Sequence, residues 1–422
     1  MKPLSCLTAL ALLLLCVALP IAAQDDPAAD DAPAADQPAE ETPAEEAPAE
    51  EAPAEEAAEE TPAEETPAEE TPAEEAPAEA EVKVILSNLY NPSGVAVQPE
   101  TGRIFISDSG ANRVVSFDPA DQNPVRVDVK GDSAAIDIYG KGPKYDIGPL
   151  GLVFLDQNTL VVGGGDKVDG QEVMRIFDLS TEEAAEEQAA EEPATEEPAS
   201  DEPAVMPQTY EQAAHTLGPI AAGDTSAMGE GNFYGLAASK TAVYITSNGD
   251  DTKGWVLRIP LADGQPGALE TFIATKVELE DVDAPVGIAL NRDGHIVVGQ
   301  MGEVNVPADS LYTVYDPETG ELKARAETGL NDIAGLAYSP TSGKLYAVDF
   351  SWVDPTQGGL FRLDINEDDS TVTSVKICSL DKPSTLAFTP DGACYVTVFG
   401  TAEEGADPKK RPGKLVRIMA EL

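Results

Sequence analysis

The feature that most constrains this chain is a repeat. The stretch "GRIFISDSGANRVVSFDP", residues 102–119, alternates apolar and polar residues, breaks at a small polar cluster and alternates again, the pattern of two half-buried strands. The same grammar returns in six segments, beginning at Ser93, Leu150, Tyr234, Val286, Ala334 and Ser384. Each opens on an apolar stretch, led by Gly in the first five, turns through a short polar link such as "NRDG" or "TPDG", and continues as a strand, a variable loop and another strand. That predicts three strands per unit. Between units lie "VRVDV" from Val125, "LETFIA" from Leu269, "LKARAE" from Leu322 and "VTSVKI" from Val372, each placed to be a fourth, outer strand. The weakest copy falls near Tyr210–Leu217.

The last unit ends without a fourth strand, whereas the first is preceded by an unassigned one, "EVKVILS" from Glu81. A ring resolves both facts, because the N-terminal strand then completes the sixth sheet and no inner edge stays open. The expected fold is therefore all-β, a six-bladed β-propeller over residues 81–422 closed by its N-terminal strand. A β-sandwich is the rival, but it does not explain why the strand count reaches four per unit only on closure. In such a ring the second-to-third and fourth-to-first connections share one face. Here the first-to-second turns are tight ("QPETG", "NRDG", "SPTSG"), while the second-to-third loops are long and varied ("GGGDKVDGQE", "DFSWVDPTQGG"). The loop-rich face is thus the expected functional one.

Charge enters the argument because its distribution is so uneven. The net charge of the 422 residues is −51, much of it concentrated in residues 24–80, cycles of "TPAEE" and "APAEE" without Lys or Arg, and in a second acidic tract within 181–208 that interrupts blade 2. Such tracts lack the apolar side chains to offset ordering entropy, and both are expected to be disordered spacers and solubilisers on the plain face. A phosphate backbone needs a basic face, so nucleic acid is excluded as a partner. Lys409, Lys410 and Arg411 form the one concentrated basic run. Residues 1–23, with Lys2, an apolar run from Leu7 to Leu19 and then small residues, read as a secretory signal peptide rather than a membrane anchor or a lipoprotein signal. The mature chain is then secreted, periplasmic or cell-surface, has no membrane span and is expected to be monomeric. It keeps only Cys378 and Cys394, for which export leaves a disulfide chemically open.

"GRIFISDSGANRVVSFD" resembles the NHL repeat, and "AGLAYSPTSGKLYAVDF" with "STLAFTPDGACYVTV" is similar to repeats of SMP-30/gluconolactonase-like propellers. The resemblance implies the architecture. In lactonase-like relatives it also implies a divalent metal held by carboxylates and amides at inner-strand starts. At the comparable places this chain has Ser93, Leu150, Tyr234, Val286, Ala334 and Ser384, none a good hard-cation ligand.

Candidate ligand-binding residues on the loop-rich face are Asp108, Asn112, Arg113, Tyr145, Tyr234, Asn248, Asp250, Trp255, Asp349 and Trp352, with Phe233 beside them. Of these, Asp108, Asn248 and Asp349 end second strands and are the candidate ligands for a divalent cation such as calcium, the alternative reading being that they cap turns. No catalytic residue is assigned: His215 and His295 are the only imidazoles and form no triad. "VVGGGDK" lacks the phosphate-loop spacing and reads as a turn. The favoured function is a binding module for a protein or carbohydrate ligand, with no assigned cofactor. The alternatives are a metal-dependent SMP-30/gluconolactonase-like hydrolase or lyase with a diverged site, and a structural envelope component.

Overall fold

The computed structural model describes residues 79–120, 126–131, 136–137, 146–180, 207–249, 252–277, 279, 282–366, 370–402 and 411–422. The signal peptide, the tract 24–78 and most of the acidic insertion lie outside them, as do Tyr145, Asp250, Lys409 and Lys410.

Six antiparallel sheets form the ring. Blade 1 runs outward through Pro92–Val97, Ile104–Asp108, Arg113–Phe117 and Arg126–Lys130. Blade 2 uses Leu152–Phe154, Thr159–Val162, Met174–Asp178 and His215–Leu217; blade 3 uses Leu236–Ala238, Ala242–Ser247, Trp255–Ala262 and Glu270–Ala274. Blade 4 comprises Ala284–Leu290, Ile296–Met301, Leu311–Tyr315 and Leu322–Glu327, and blade 5 Ile333–Tyr338, Leu345–Asp349, Gly359–Ile365 and Val372–Ser379. Blade 6 holds Pro383–Phe388, Cys394–Val398 and Gly413–Met419, and its outer strand is the N-terminal Glu81–Leu89. The register of that closure runs from Glu81 opposite Met419, through Val82 opposite Ile418, to Leu89 opposite Gly413. The weak copy near Tyr210 resolves into the short outer strand of blade 2.

Second strands are buried along their whole length in blades 1, 3, 4, 5 and 6, since both faces of a middle strand pack against neighbouring blades. Inner strands approach one another across glycine. A Cβ on Gly94 would stand 2.2 Å from the Leu150 carbonyl oxygen, one on Gly151 2.3 Å from that of Tyr234, and one on Gly235 2.3 Å from that of Val286. The leading Gly of the repeat is therefore a spacing device between blades. In blades 1, 4, 5 and 6 a register shift separates the first pair of the inner strand from the residues after the bulge, Pro92/Val95, Pro285/Gly287, Ile333/Gly335 and Pro383/Thr385. Buried hydroxyls tie blades together: Thr246 donates to Val286 O (2.8 Å) and Ser384 to Pro92 O (2.6 Å).

One expectation needs correction. Gln208–Thr209, just after the acidic insertion, pairs in parallel with Arg126–Lys130 and so adds a fifth strand that covers the outer edge of blade 1. The first described residues, 79–80, lie against blade 5. Ala80 N donates to Ile377 O (2.8 Å), and the Glu79 carboxylate accepts from Ser379 N (3.0 Å), both on the outer strand of blade 5. Strand twist accumulated across a blade lays the outer strands toward the rim, where this entry sits.

Candidate functional site

The axial cavity is narrow, about 60 Å³, and is lined by the ring Gly94, Gly151, Gly235, Gly287, Gly335 and Thr385 with their neighbours. That volume holds a few water molecules and no sugar. Tyr234 also lines it, and its hydroxyl donates to Ser384 O (3.1 Å), joining blade 3 to blade 6 on the opposite side of the ring. Among the described residues no three His, Cys, Asp or Glu side chains are grouped as a metal site. The channel itself is lined by glycines, apolar side chains, Tyr234 and Thr385, with no carboxylate or imidazole among them. A larger cavity, about 570 Å³, lies at the other side of blades 5 and 6 by the 389–393 turn, lined by Thr341, Asp391, Arg417 and Leu422, away from the loop-rich residues.

The structure distributes the sequence candidates widely. Asp108 is buried and accepts from Tyr90 N (2.6 Å) and from Arg113, whose guanidinium stands 2.7 Å away. Asn112 is a left-handed cap (φ 51°) whose side-chain oxygen accepts from the Tyr210 hydroxyl at 2.8 Å. Asn248, with its amide nitrogen toward Ser247 O and Pro285 O (3.2 and 2.9 Å), bridges blades 3 and 4. Asp349 accepts from Asn331 N, Asp332 N and Ser351 N at 2.9–3.1 Å. These side chains hold their own loops in blades 1, 3 and 5 and are not gathered around one point. Phe233, ahead of the blade 3 inner strand, and Trp255, the first residue of its third strand, belong to the core between blades 2 and 3. Cys378 and Cys394 are buried free thiols in one core cluster, and burial pushes the Cys378 thiol up to about 11. His215 and His295 lie in different blades, 2 and 4. Arg411 stacks on Tyr90, its guanidinium carbon 3.6 Å from the ring centre.

Two candidates do come together, in blade 5. Asp349 anchors the backbone of Asn331 and Asp332, and Asp332 in turn accepts from Trp352 N at 2.7 Å. Trp352 is half-buried and tilted against Phe350, ring centres 4.5 Å apart, with Phe399 next in line. Asp332 stands just before the blade 5 inner strand, at the mouth of the ring on the loop-rich face. Burial raises its carboxyl from 3.8 to about 6, and the charges of Asp349, Asp309 and Asp283 add to the rise. Sequence reading missed Asp332, Asp309 and Asp283. The signal was an acidic residue before two inner strands, "DVDAPVG" and "NDIAGL".

No family model and no curated protein matches this sequence. Solved structures do. A luciferin-regenerating enzyme is 12% identical with a TM-score of 0.50, the match covering 81% of this chain and 95% of that one. A gluconolactonase from Xanthomonas campestris is 16% identical with a TM-score of 0.49, covering 80% and 89%. The PQQ-bound aldose sugar dehydrogenase from Streptomyces coelicolor is 14% identical with a TM-score of 0.48, covering 81% and 98%. Identities this low speak for architecture alone. The chain is a six-bladed β-propeller, and SMP-30/gluconolactonase-family proteins are among its structural neighbours.

Proposed function

We propose that this chain is an enzyme whose loop-rich face performs proton transfer on a small polar substrate, of the sugar-derived lactone or ester class, with Asp332 as the acid–base group. What supports this reading is the grouping before the blade 5 inner strand, where the buried Asp332 carboxylate accepts from Trp352 N at 2.7 Å and faces the charges of Asp349, Asp309 and Asp283, which together with burial push it up to about 6. A carboxyl that exchanges its proton near neutrality can take one from an attacking water and return it to a leaving alkoxide. Asp349 positions it through the backbone, and Trp352, whose backbone N–H donates to it, carries a half-buried indole of the kind that packs on a sugar ring. The chemistry would differ from the metal-in-channel arrangement that the lactonase resemblance implies, since Val286 and Ala334 stand where that arrangement needs oxygen ligands.

Hydrolysis of aldonolactones by the full chain, followed against pH, tests the reading. Turnover with an inflection near 6 that Asp332→Asn abolishes supports it; absence of turnover across lactones and sugar esters rejects it. A second reading, docking of a protein partner, is favoured by a specific pattern. Of eight large apolar side chains exposed among the described residues, six (Val168, Met228, Val277, Val304, Val306 and Val353) lie on second-to-third loops or fourth-to-first connections, the same face, and two (Val84 and Met419) lie on the closure strands.

A further inference from the structure

The loop 163–173 of blade 2 packs against the connection that leads into blade 3, and the contact is acidic. Gly170 N donates to Glu230 O (2.9 Å) and Asn232 N donates to the Glu172 carboxylate. Glu172 is fully buried, and its Oε1 has no hydrogen-bond partner; neither has the side-chain oxygen of Asn232, itself 8% exposed. The charges bearing on Glu172 are those of Asp169 and Asp166, both of its own sign. Arg175, on the strand that follows this loop, is engaged with Asp166 in a two-pronged pair (3.0 and 3.3 Å) and with the Tyr210 ring. At Gly231 a Cβ would lie 2.4 Å from Asp169 Oδ1 and 2.6 Å from Glu172 Oε2, so the two carboxylates converge on one glycine that leaves room for them.

A buried carboxyl beside a second acid, with two orphaned acceptor oxygens next to it, is balanced either by a proton or by a cation. We propose that this junction binds a calcium ion through the carboxylates of Asp169 and Glu172 and the amide oxygen of Asn232. All three are hard oxygen donors, the set calcium takes in irregular loops with water completing its shell. A soft metal would want sulfur or imidazole, and neither stands in this group. The ion would clamp the blade 2 loop to the entry of blade 3 on the loop-rich face. This site is separate from Asp332 and does not depend on the reading given to it.

Isothermal titration of calcium into the full chain, stripped with chelator at neutral pH, measures the site, with thermal melting alongside. One saturable equivalent per chain and a calcium-dependent rise in melting temperature are expected. Both vanish in Glu172→Gln and weaken at least tenfold in Asp169→Asn, while any diffuse binding by the acidic tracts stays unchanged. Glu172 holding a proton instead is the competing outcome. In that case the wild type shows no saturable calcium step, and its melting temperature falls with rising pH to the same degree with and without the ion. Either finding overturns the proposal. Should Glu172→Gln fail to fold, an at least tenfold weaker saturable step in Asp169→Asn decides the matter, and an unchanged step there refutes the site.

Discussion

The hydroxyl of Tyr234 in blade 3 donates to the carbonyl oxygen of Ser384 in blade 6, 3.1 Å away across the axis of the ring. Ser384 is itself fixed by Pro92 O in blade 1 and by Thr397 within blade 6. One aromatic side chain thus braces opposite blades and fills the channel that a ligand would enter. Tyr234→Phe should cost about 1 kcal/mol, the net worth of one hydrogen bond, read as a lower urea midpoint with unchanged slope. Tyr234→Ala should cost more, about 3 kcal/mol, through the cavity it leaves.

Ring closure rests on Glu81–Leu89. A chain beginning at Pro92 leaves Gly413–Met419 as an unpaired edge strand and exposes the side of the sheet that Leu89 and Ile85 cover. It should aggregate and lose its cooperative melting transition. Light scattering together with calorimetry checks this, and a monomeric, cooperatively folded product would contradict the closure.

Glycine at the inner strands is a packing requirement. Gly151→Ala and Gly235→Ala each place a Cβ about 2.3 Å from a backbone oxygen of the next blade, which cannot swing aside as a side chain would. Each is expected to destabilise by about 3 kcal/mol. Denaturant unfolding of the two variants measures it.

Arg175 and Asp166 are both about 5% exposed, and the guanidinium also covers the Tyr210 ring at 3.8 Å. Arg175→Met should therefore cost about 4 kcal/mol, because it strands a buried carboxylate. Adding Asp166→Leu should recover much of that loss. A double-mutant cycle by urea denaturation tests the coupling.

Asp332 makes a signed contribution to stability with pH. Its folded value, about 6, lies above the ordinary 3.8, so the folded state keeps a proton that the unfolded chain has released. The stabilisation is full below about pH 4 and is lost as pH rises through 6, on the order of 2 kcal/mol over that window. Subtracting the stability profile of Asp332→Asn from that of the wild type should leave a downward slope confined to that window. A flat difference would place the carboxyl in an ordinary environment.

The architecture was legible in the sequence because its cause is local. Alternation of period two marks a strand wherever it occurs, and a surplus strand at Glu81 against a missing one after Met419 demands a ring whatever the side chains do. Asp349 and Trp352 were legible as well, as polar and aromatic residues flanking a long loop. Their alliance with Asp332 was not, because three residues in "DFSW" and "NDIAG" meet only after blade 5 folds back on itself. Likewise Trp255 and Phe233 look like gripping aromatics in the chain and are core in the ring, since only the neighbouring blade decides which side of a strand is covered. Strand order follows from hydrogen-bonding pattern and chain connectivity, which the sequence carries in itself. The charge felt by Asp332 and Glu172 follows from burial and from which acids face one another, and these are properties of distances between blades that no single stretch of chain contains.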